Sequence, residues 1–461
     1  MSPGAPALDR LLGSGRLHFA GIGGSGMSAL AQCVAMGGGR VSGSDRSFDR
    51  GLNGPSRALL EGLGVAILPQ DGSGAEGDCA AVVYSPAVEE QVPDFARARA
   101  RGVPLVHRSE LLAHFVAGRR TLAITGTSGK STTVAMAFGI LQGAGRDPSV
   151  ITGGELLALQ ARGLWGNAWA GKSDLLVVEA DESDGSLVRY RPAVGVILNL
   201  QRDHQEEAEV ARTFATFRAQ AREGFVVGDA ANLEPFAAGA VVCGLGPRAQ
   251  VRAEGVVAGP GGSAFQVLGV PFRLDVPGAH NVENAVAAIA ACRAVGVPLE
   301  AMAGPLAAYR GVARRFQSLG RARGVEVVDD FAHNPAKVAA SLRTAHARAR
   351  RVLGVFQPHG YGPLRFLRAE FVAAFAAGLE PQDRLWMLDV FYSGGTAARD
   401  ISSGEVVREI AGRGVRADLA PSRPRLVEAL AAEAREGDLI LVMGARDPSL
   451  TELSRSILAA L

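Results

Sequence analysis

Several groups of residues along this 461-residue chain have types and spacings suited to chemistry. Gly21-Ile22-Gly23-Gly24-Ser25-Gly26 fits the pattern GxGxxG, after the apolar run LHFA and before MSALAQCVAM. Glycines in such a run permit a tight turn and bring backbone N–H groups close to a diphosphate at a helix start. Asp45 closes RVSGSD roughly 20 residues later, the spacing of dinucleotide-binding folds. The run supports a diphosphate-bearing nucleotide and leaves the base open. A second glycine-rich loop, Thr125-Gly126-Thr127-Ser128-Gly129-Lys130-Ser131-Thr132, closes the apolar run TLAIT. Its Lys130 can reach β and γ phosphates, and the Ser131 hydroxyl suits Mg2+. The common pattern GxxxxGK[ST] would need glycine where Ile124 stands, so this loop is a shortened form. Lysine is scarce here: Lys130, Lys172 and Lys337 stand among 48 basic residues, so a plain surface cation would be arginine.

Acidic and amide residues form the other candidates. LLVVEADESD carries Glu179 at its strand end, with Asp181, Glu182 and Asp184 beyond, and VGVILNLQRDH ends in Asp203 and His204. Beside a phosphate loop, such groups are placed to bind Mg2+ and offset phosphate charge. Taken singly, DES and DH read as solvated loop residues; their shared position beside one loop favours the metal. Asn281 and Asn284 lie three apart on one helical face, which could touch a nucleotide or cap the helix.

Positioning these groups requires strands that end at the loops and helices that follow them. Short Val, Ile and Leu runs alternating with amphipathic stretches predict βα units on parallel sheets. The pattern starts three times, at LHFAGIGGSGM, at Thr121 in TLAITGTSGKSTT, and near Val325 in VEVVDDFAHNP. It predicts an α/β chain of three domains, 1–118, 119–311 and 312–461, each a mainly parallel sheet with flanking helices. They are Rossmann-like, phosphate-loop and Rossmann-like in turn. Two helices are predicted to open just after strands of the third domain, with Asn334 and Asp447 as N-caps and Pro335 and Pro448 behind them.

Apolar residues make up 48% and charged residues 20%, which excludes disorder and supplies several cores. A net charge of +2 argues against nucleic acid as a partner. Cys33, Cys79, Cys243 and Cys292 have no metal-ligand spacing and are expected as reduced, mostly buried thiols. No run reaches the roughly 18 apolar residues of a membrane span, and the first residues lack signal-peptide character. The expectation is a cytoplasmic protein without a membrane partner.

Taken together, GIGGSGMS, GSD, GTSGKSTT, EADESD, His280-Asn281 with Asn284, GVARRF, DDFAH and FQPH resemble the Mur ligases, in family order and over nearly the whole chain. These are ATP-dependent amide-bond ligases of peptidoglycan precursor synthesis. The likeness is greatest to the branch that joins L-alanine to the carboxylate of UDP-N-acetylmuramate, with the murein-peptide recycling ligase a near relative. The resemblance implies that the first domain holds the UDP diphosphate through Gly21, Gly23, Gly24, Ser25 and Gly26, with Asp45 facing the uridine side. It implies ATP on Gly126, Thr127, Ser128, Gly129, Lys130, Ser131, Thr132, Asn281 and Asn284. Mg2+ is implied on Ser131, Glu179 and His204, and catalytic roles fall to Lys130, Glu179, His204, Arg315 and Asp330. The third domain would close over ATP and admit the amino acid, with His359 and Arg365 on that side.

This chain departs from the family at several points. Ser128 and Ser131 stand in a loop that usually reads GTHGKT or GTNGKT. DDFAHNP replaces DDYGHHP, and FQPHGYGPLRFL replaces FQPHRYTRTRDL. Gly360, Gly362 and Leu364 therefore occupy polar or basic positions, and Arg365 is the arginine that remains. No lysine lies between Lys172 and Lys337 to serve as a carbamylated metal ligand beyond the DH motif. Two rival readings are an NAD-dependent dehydrogenase with an appended ATPase, which leaves EADESD, DH and RRF without roles, and a catalytically weak Mur-like binding protein, motivated by FQPHGYGPLR.

Overall fold

The computed structural model describes residues 5–183, 185–201, 206–259, 261–392, 398–447 and 449–461. Asp184, Asp203, His204 and Pro448 lie outside them. The described residues belong to two compact units, Met1–Val312 and Ala313–Leu461.

Five strands open the first unit: β1 (Arg16–Ala20), β2 (Val41–Ser44), β3 (Ala66–Ile67), β4 (Cys79–Tyr84) and β5 (Leu105–His107). All run parallel, in the order β3-β2-β1-β4-β5. Leu17–Ala20 of β1 is buried throughout, as expected of a strand covered on both faces. The winding reverses between β1 and β4, where open sheets take their ligands. The first glycine loop leaves β1 at that reversal.

The second sheet of this unit contains β6 (Arg120–Thr125), β7 (Ser149–Ile151), β8 (Ala168–Trp169), β9 (Leu175–Glu179), β10 (Val194–Ile197), β11 (Gly224–Gly228), β12 (Val241–Gly244), β13 (Val251–Gly259), β14 (Gly262–Val267) and β15 (Val270–Leu274). Their order is β15-β14-β13-β12-β11-β10-β6-β9-β7-β8. The phosphate-loop strand β6 is flanked in parallel by β9 and β10, with Ile124 opposite Glu179 and Thr125 opposite Ile197. That register brings three strand ends level. Strands β13–β15 form an antiparallel meander that the βα pattern does not anticipate. In β14, Ser263, Phe265 and Val267 are buried while Ala264 and Gln266 are exposed. Such period-two alternation marks a sheet covered on one face.

The second unit contains β16 (Gln317–Ala322), β17 (Val325–Asp330), β18 (Arg351–Gln357), β19 (Arg384–Met387), β20 (Ala417–Leu419) and β21 (Asp438–Gly444), in the order β16-β17-β21-β18-β19-β20. Only β16 is antiparallel to its neighbour in this sheet. Asn334 caps the helix Pro335–His346 by accepting the Lys337 N–H at 2.9 Å. The helix expected to open at Asp447 begins instead at Leu450. The Asp447 carboxylate is taken by Arg423 (2.5 Å) and by the Ser449 N–H (2.9 Å), so it is spent before the helix starts.

All four cysteines are free thiols. Burial pushes Cys33 up to about 11, which keeps it protonated and unreactive. Among the described residues no helix is long and apolar enough to cross a membrane.

Candidate active site

The second glycine loop is built by β6 and held by its neighbours. Gly126 and Gly129 have φ of +139° and +82°, a region costly for residues with a Cβ. Asn199, just past β10, grips the loop: its Oδ1 accepts the Thr127 hydroxyl and the Ser128 N–H, each at 2.9 Å. Its Nδ2 donates to the Ser128 carbonyl at 3.0 Å. A Cβ on Gly129 would lie 2.3 Å from Asn284 Oδ1, so only glycine fits between loop and helix. Asn284 is buried and accepts the Thr133 hydroxyl at 3.3 Å. Asn281 donates to the Pro277 carbonyl at 2.6 Å and so stabilises the start of its own helix.

Lys130 opens the helix Lys130–Gly143 and turns back over the loop. Its Nζ donates to the Gly126 carbonyl (2.9 Å) and Glu182 Oε2 (2.6 Å), with Asp181 at 3.9 Å. Burial disfavours the ammonium, but Glu182, Asp181 and Glu179 outweigh it and hold Lys130 above the ordinary lysine value. Burial also lifts Glu182 above the usual carboxylate range, against the pull of Lys130. One residue on, the Ser131 hydroxyl donates to Glu179 at 3.0 Å. Glu179 also accepts the Thr152 hydroxyl (2.6 Å) and the Gly153 N–H (2.9 Å). Three carboxylates thus face one ammonium. A bare triphosphate would be repelled there, and a nucleotide bringing a divalent cation would not.

The first glycine loop is assembled differently. Gly21 turns at φ +76°, and the N–H groups of Gly21 and Ile22 donate to the Ser44 carbonyl at 2.8 and 3.1 Å. Asp45 accepts the Gly23 N–H (2.9 Å) together with the Ser47 N–H (2.8 Å) and hydroxyl (2.6 Å). The carboxylate therefore braces the loop in this structure. The helix Ser25–Met36 opens at Gly24 with no side-chain cap. Arg108 stands over its first turn, with Nη1 2.8 Å from where a Cβ on Gly26 would lie. Uncapped N–H groups with a guanidinium beside them suit an anion.

In the second unit, Asp330 ends β17, is buried, and accepts the Ser341 hydroxyl. Burial raises its carboxyl, with Ser341 and Arg315 opposing. Arg314 and Arg315 stand over the Phe331 ring, 5.2 and 5.1 Å from its centroid. Ring contacts continue from Phe331 to His333 (5.3 Å) and from His333 to buried His359 (5.0 Å). His333 Nδ1 donates to the Phe331 carbonyl at 2.8 Å, and burial and Lys337 push the imidazole down to about 3. Arg315, Asp330 and His359 thus share one cluster. Arg365, half-exposed on the short helix Tyr361–Phe366, is engaged with Asp400 and the Ala398 carbonyl (3.1 Å).

Sequence reasoning passed over Asn199, Thr152 and the pairing of Glu182 with Lys130. Asn199 and Glu182 reach the loop, and Thr152 reaches Glu179, each from a separate strand end, so only the strand order reveals them. The Mg2+ assignment to His204 lies outside the described residues, among which no group of three or more His, Cys, Asp or Glu could hold a metal ion. Ser131 and Glu179 are nevertheless hard oxygen donors of the kind Mg2+ takes.

Family models match almost the full length. Residues 16–120 match the catalytic domain of the Mur ligase family, 124–292 the Mur ligase middle domain, and 314–446 the glutamate ligase domain of Mur ligases. The chain belongs to the Mur ligase family. Among its curated relatives is the UDP-N-acetylmuramate–L-alanine ligase of Streptomyces avermitilis, 37% identical over 489 residues that span 99% of both chains. The ligase of the same name from Caulobacter sp. is 34% identical over 94% of both. The solved UDP-N-acetylmuramate-alanine ligase of Thermotoga maritima superposes with a TM-score of 0.80 at 27% identity, covering 96% of this chain and 98% of that one. A murein peptide ligase from Psychrobacter arcticus shares the fold, with a TM-score of 0.71 at 22% identity over 97% and 98% of the two chains.

Proposed function

We propose that this chain is an ATP-dependent ligase that joins L-alanine to the carboxylate of UDP-N-acetylmuramate through an acyl phosphate, in peptidoglycan precursor synthesis. The observation that carries this reading is the convergence of Lys130, Ser131 and Glu179 at adjacent strand ends, in a chain 34–37% identical over nearly its whole length to ligases of that name. In this reading residues 1–118 bind the UDP moiety, 119–311 the ATP, and 312–461 the amino acid.

The substrate carboxylate attacks the γ-phosphorus of ATP, forming an acyl phosphate and releasing ADP. The amine of alanine then attacks the acyl carbon, loses a proton, and expels phosphate as the amide forms. The first step brings like charges together, so a cation aimed at the transferring phosphoryl group is worth the most there. Lys130 supplies it once its ammonium exchanges Glu182 for phosphate oxygens. Asn199 and Asn284 keep the loop rigid while that exchange happens. Ser131 and Glu179 would hold Mg2+, which supplies neutralisation of phosphate charge when bound. Arg315 and Asp330 belong to the amino-acid side, and the altered FQPHGYGPLRFL segment bears on which amino acid is taken.

ADP release measured over a panel of UDP-muramyl acids and amino acids tests the reading. Sustained ADP release over many turnovers should require both an acid and an amine, fastest with UDP-N-acetylmuramate and L-alanine. ADP release that needs neither, or a clear preference for another pair, would replace it.

A further inference from the structure

Asn167 stands between the two glycine loops of the first unit. It is fully buried just before edge strand β8. Nδ2 donates to the Ser25 carbonyl (3.0 Å) and the Ser28 hydroxyl (2.9 Å), and Oδ1 accepts from Gln32 at 2.7 Å. All three partners lie on the helix Ser25–Met36, which begins at the first glycine loop. On its other side the Asn167 carbonyl accepts the Thr152 N–H at 3.0 Å. Thr152 in turn gives its hydroxyl to Glu179, the carboxylate that receives Ser131 from the second loop.

The segment between Thr152 and Asn167 is stiff. Leu156 N–H bonds to the Gly166 carbonyl at 2.8 Å, and Trp165 Nε1 donates to Glu155 at 3.0 Å. Its two ends therefore move together. A helix tilt that parted Asn167 from Ser25 and Ser28 would leave buried polar groups unpaired, which is costly. A tilt that kept those bonds would carry Thr152 and its hold on Glu179 with it.

We propose that Asn167 is a positioning residue that makes the two nucleotides bind cooperatively: an anion on Gly21–Gly26 sets Glu179 for the nucleotide on Gly126–Ser131, and the reverse. This rests on the UDP and ATP assignments above. By linkage each ligand must raise the other's affinity by one common factor, and couplings of this kind run from about fivefold to 150-fold.

Calorimetry gives the test. The Kd of UDP-N-acetylmuramate is measured with and without a non-hydrolysable ATP analogue plus Mg2+, and the analogue's Kd with and without the UDP acid. The wild-type ratio should be about fivefold or more. In Asn167→Ala it should fall to about one, while each ligand alone still binds. Ser28→Ala, which leaves Asn167 bonded to Ser25 and Gln32, should at least halve the ratio, and it decides the matter if Asn167→Ala does not fold. A role in stability alone would lower the melting temperature and leave the ratio intact. An unchanged ratio in the folded variant, or a wild-type ratio of one, overturns the proposal. Failure of the UDP acid to bind wild type at all would instead overturn the functional reading beneath it.

Discussion

The two glycine loops of the first unit follow the same local plan, a buried strand, a glycine turn and a helix start, yet their surroundings differ in charge. Around Gly21–Gly26 stand Asp45 and Arg108, a balanced pair. Around Gly126–Ser131 stand Lys130 and three carboxylates, Glu179, Asp181 and Glu182. Glycine spacing specifies a turn that backbone N–H groups can offer to phosphate. Which phosphate is taken is decided by side chains from neighbouring strand ends. On the proposed assignment, the balanced site would take the diphosphate without a metal, and the site with surplus negative charge would take the triphosphate together with a cation.

Metal removal should separate the loops most sharply. With EDTA, binding of the ATP analogue should fall on the order of a hundredfold or more, since phosphate would then face uncompensated carboxylates, while the UDP acid, measured without nucleotide, keeps its Kd. Equal loss at both sites by calorimetry would erase the contrast. Next comes Glu179→Gln, expected to lower kcat by on the order of a hundredfold and to raise the Mg2+ concentration for half-activity. An unchanged metal titration would reduce Glu179 to a structural acceptor for Ser131 and Thr152.

The glycines sharpen the comparison further. Gly129→Ala meets Asn284 at a left-handed φ, a strain of ~1–3 kcal/mol, and should cost about tenfold or more in kcat/KM for ATP. Gly23→Ala meets only the movable Asp45 carboxylate and should raise the KM for the UDP acid by about threefold to tenfold, with that for ATP unmoved. The reverse pattern in steady-state kinetics would exchange the two loops' ligands.

Two smaller effects concern the second unit. His333 is held neutral when folded, down to about 3 against 6.5 for the free side chain. Between those values the unfolded chain binds the extra proton, so stability falls as pH drops from 6.5 towards 3. His333→Asn should flatten that part of the Tm–pH curve, and an unaltered curve would relocate the acid sensitivity. Arg365→Ala should raise the amino-acid KM no more than about fivefold, because the guanidinium is half-exposed and already paired with Asp400. A much larger rise would assign Arg365 to a substrate carboxylate.

Much of this was legible in the residues, and the limits have physical causes. TLAITGTSGKSTT marks its own strand, turn and helix, and Glu179 at the end of LLVVE belongs beside it once β9 pairs with β6. HNPAK announces its capped helix because cap and helix are local. Asn199 and Asn167 carry no local mark: one amide after a strand and one before a short edge strand matter only through partners far away in sequence. The meander β13–β15 was hidden because its glycines and alanines blur the alternation that would have shown it. Asp447 misled because Arg423, 24 residues upstream, claims the carboxylate that would have capped a helix.

The separation of the two loops is tested most directly at Lys130. In a folded Lys130→Ala variant, ADP release in the presence of UDP-N-acetylmuramate and L-alanine should fall on the order of a thousandfold. The Kd of UDP-N-acetylmuramate, measured without nucleotide, should match wild type within about twofold. Loss of both together would contradict the account, because it would mean that one loop serves both ligands.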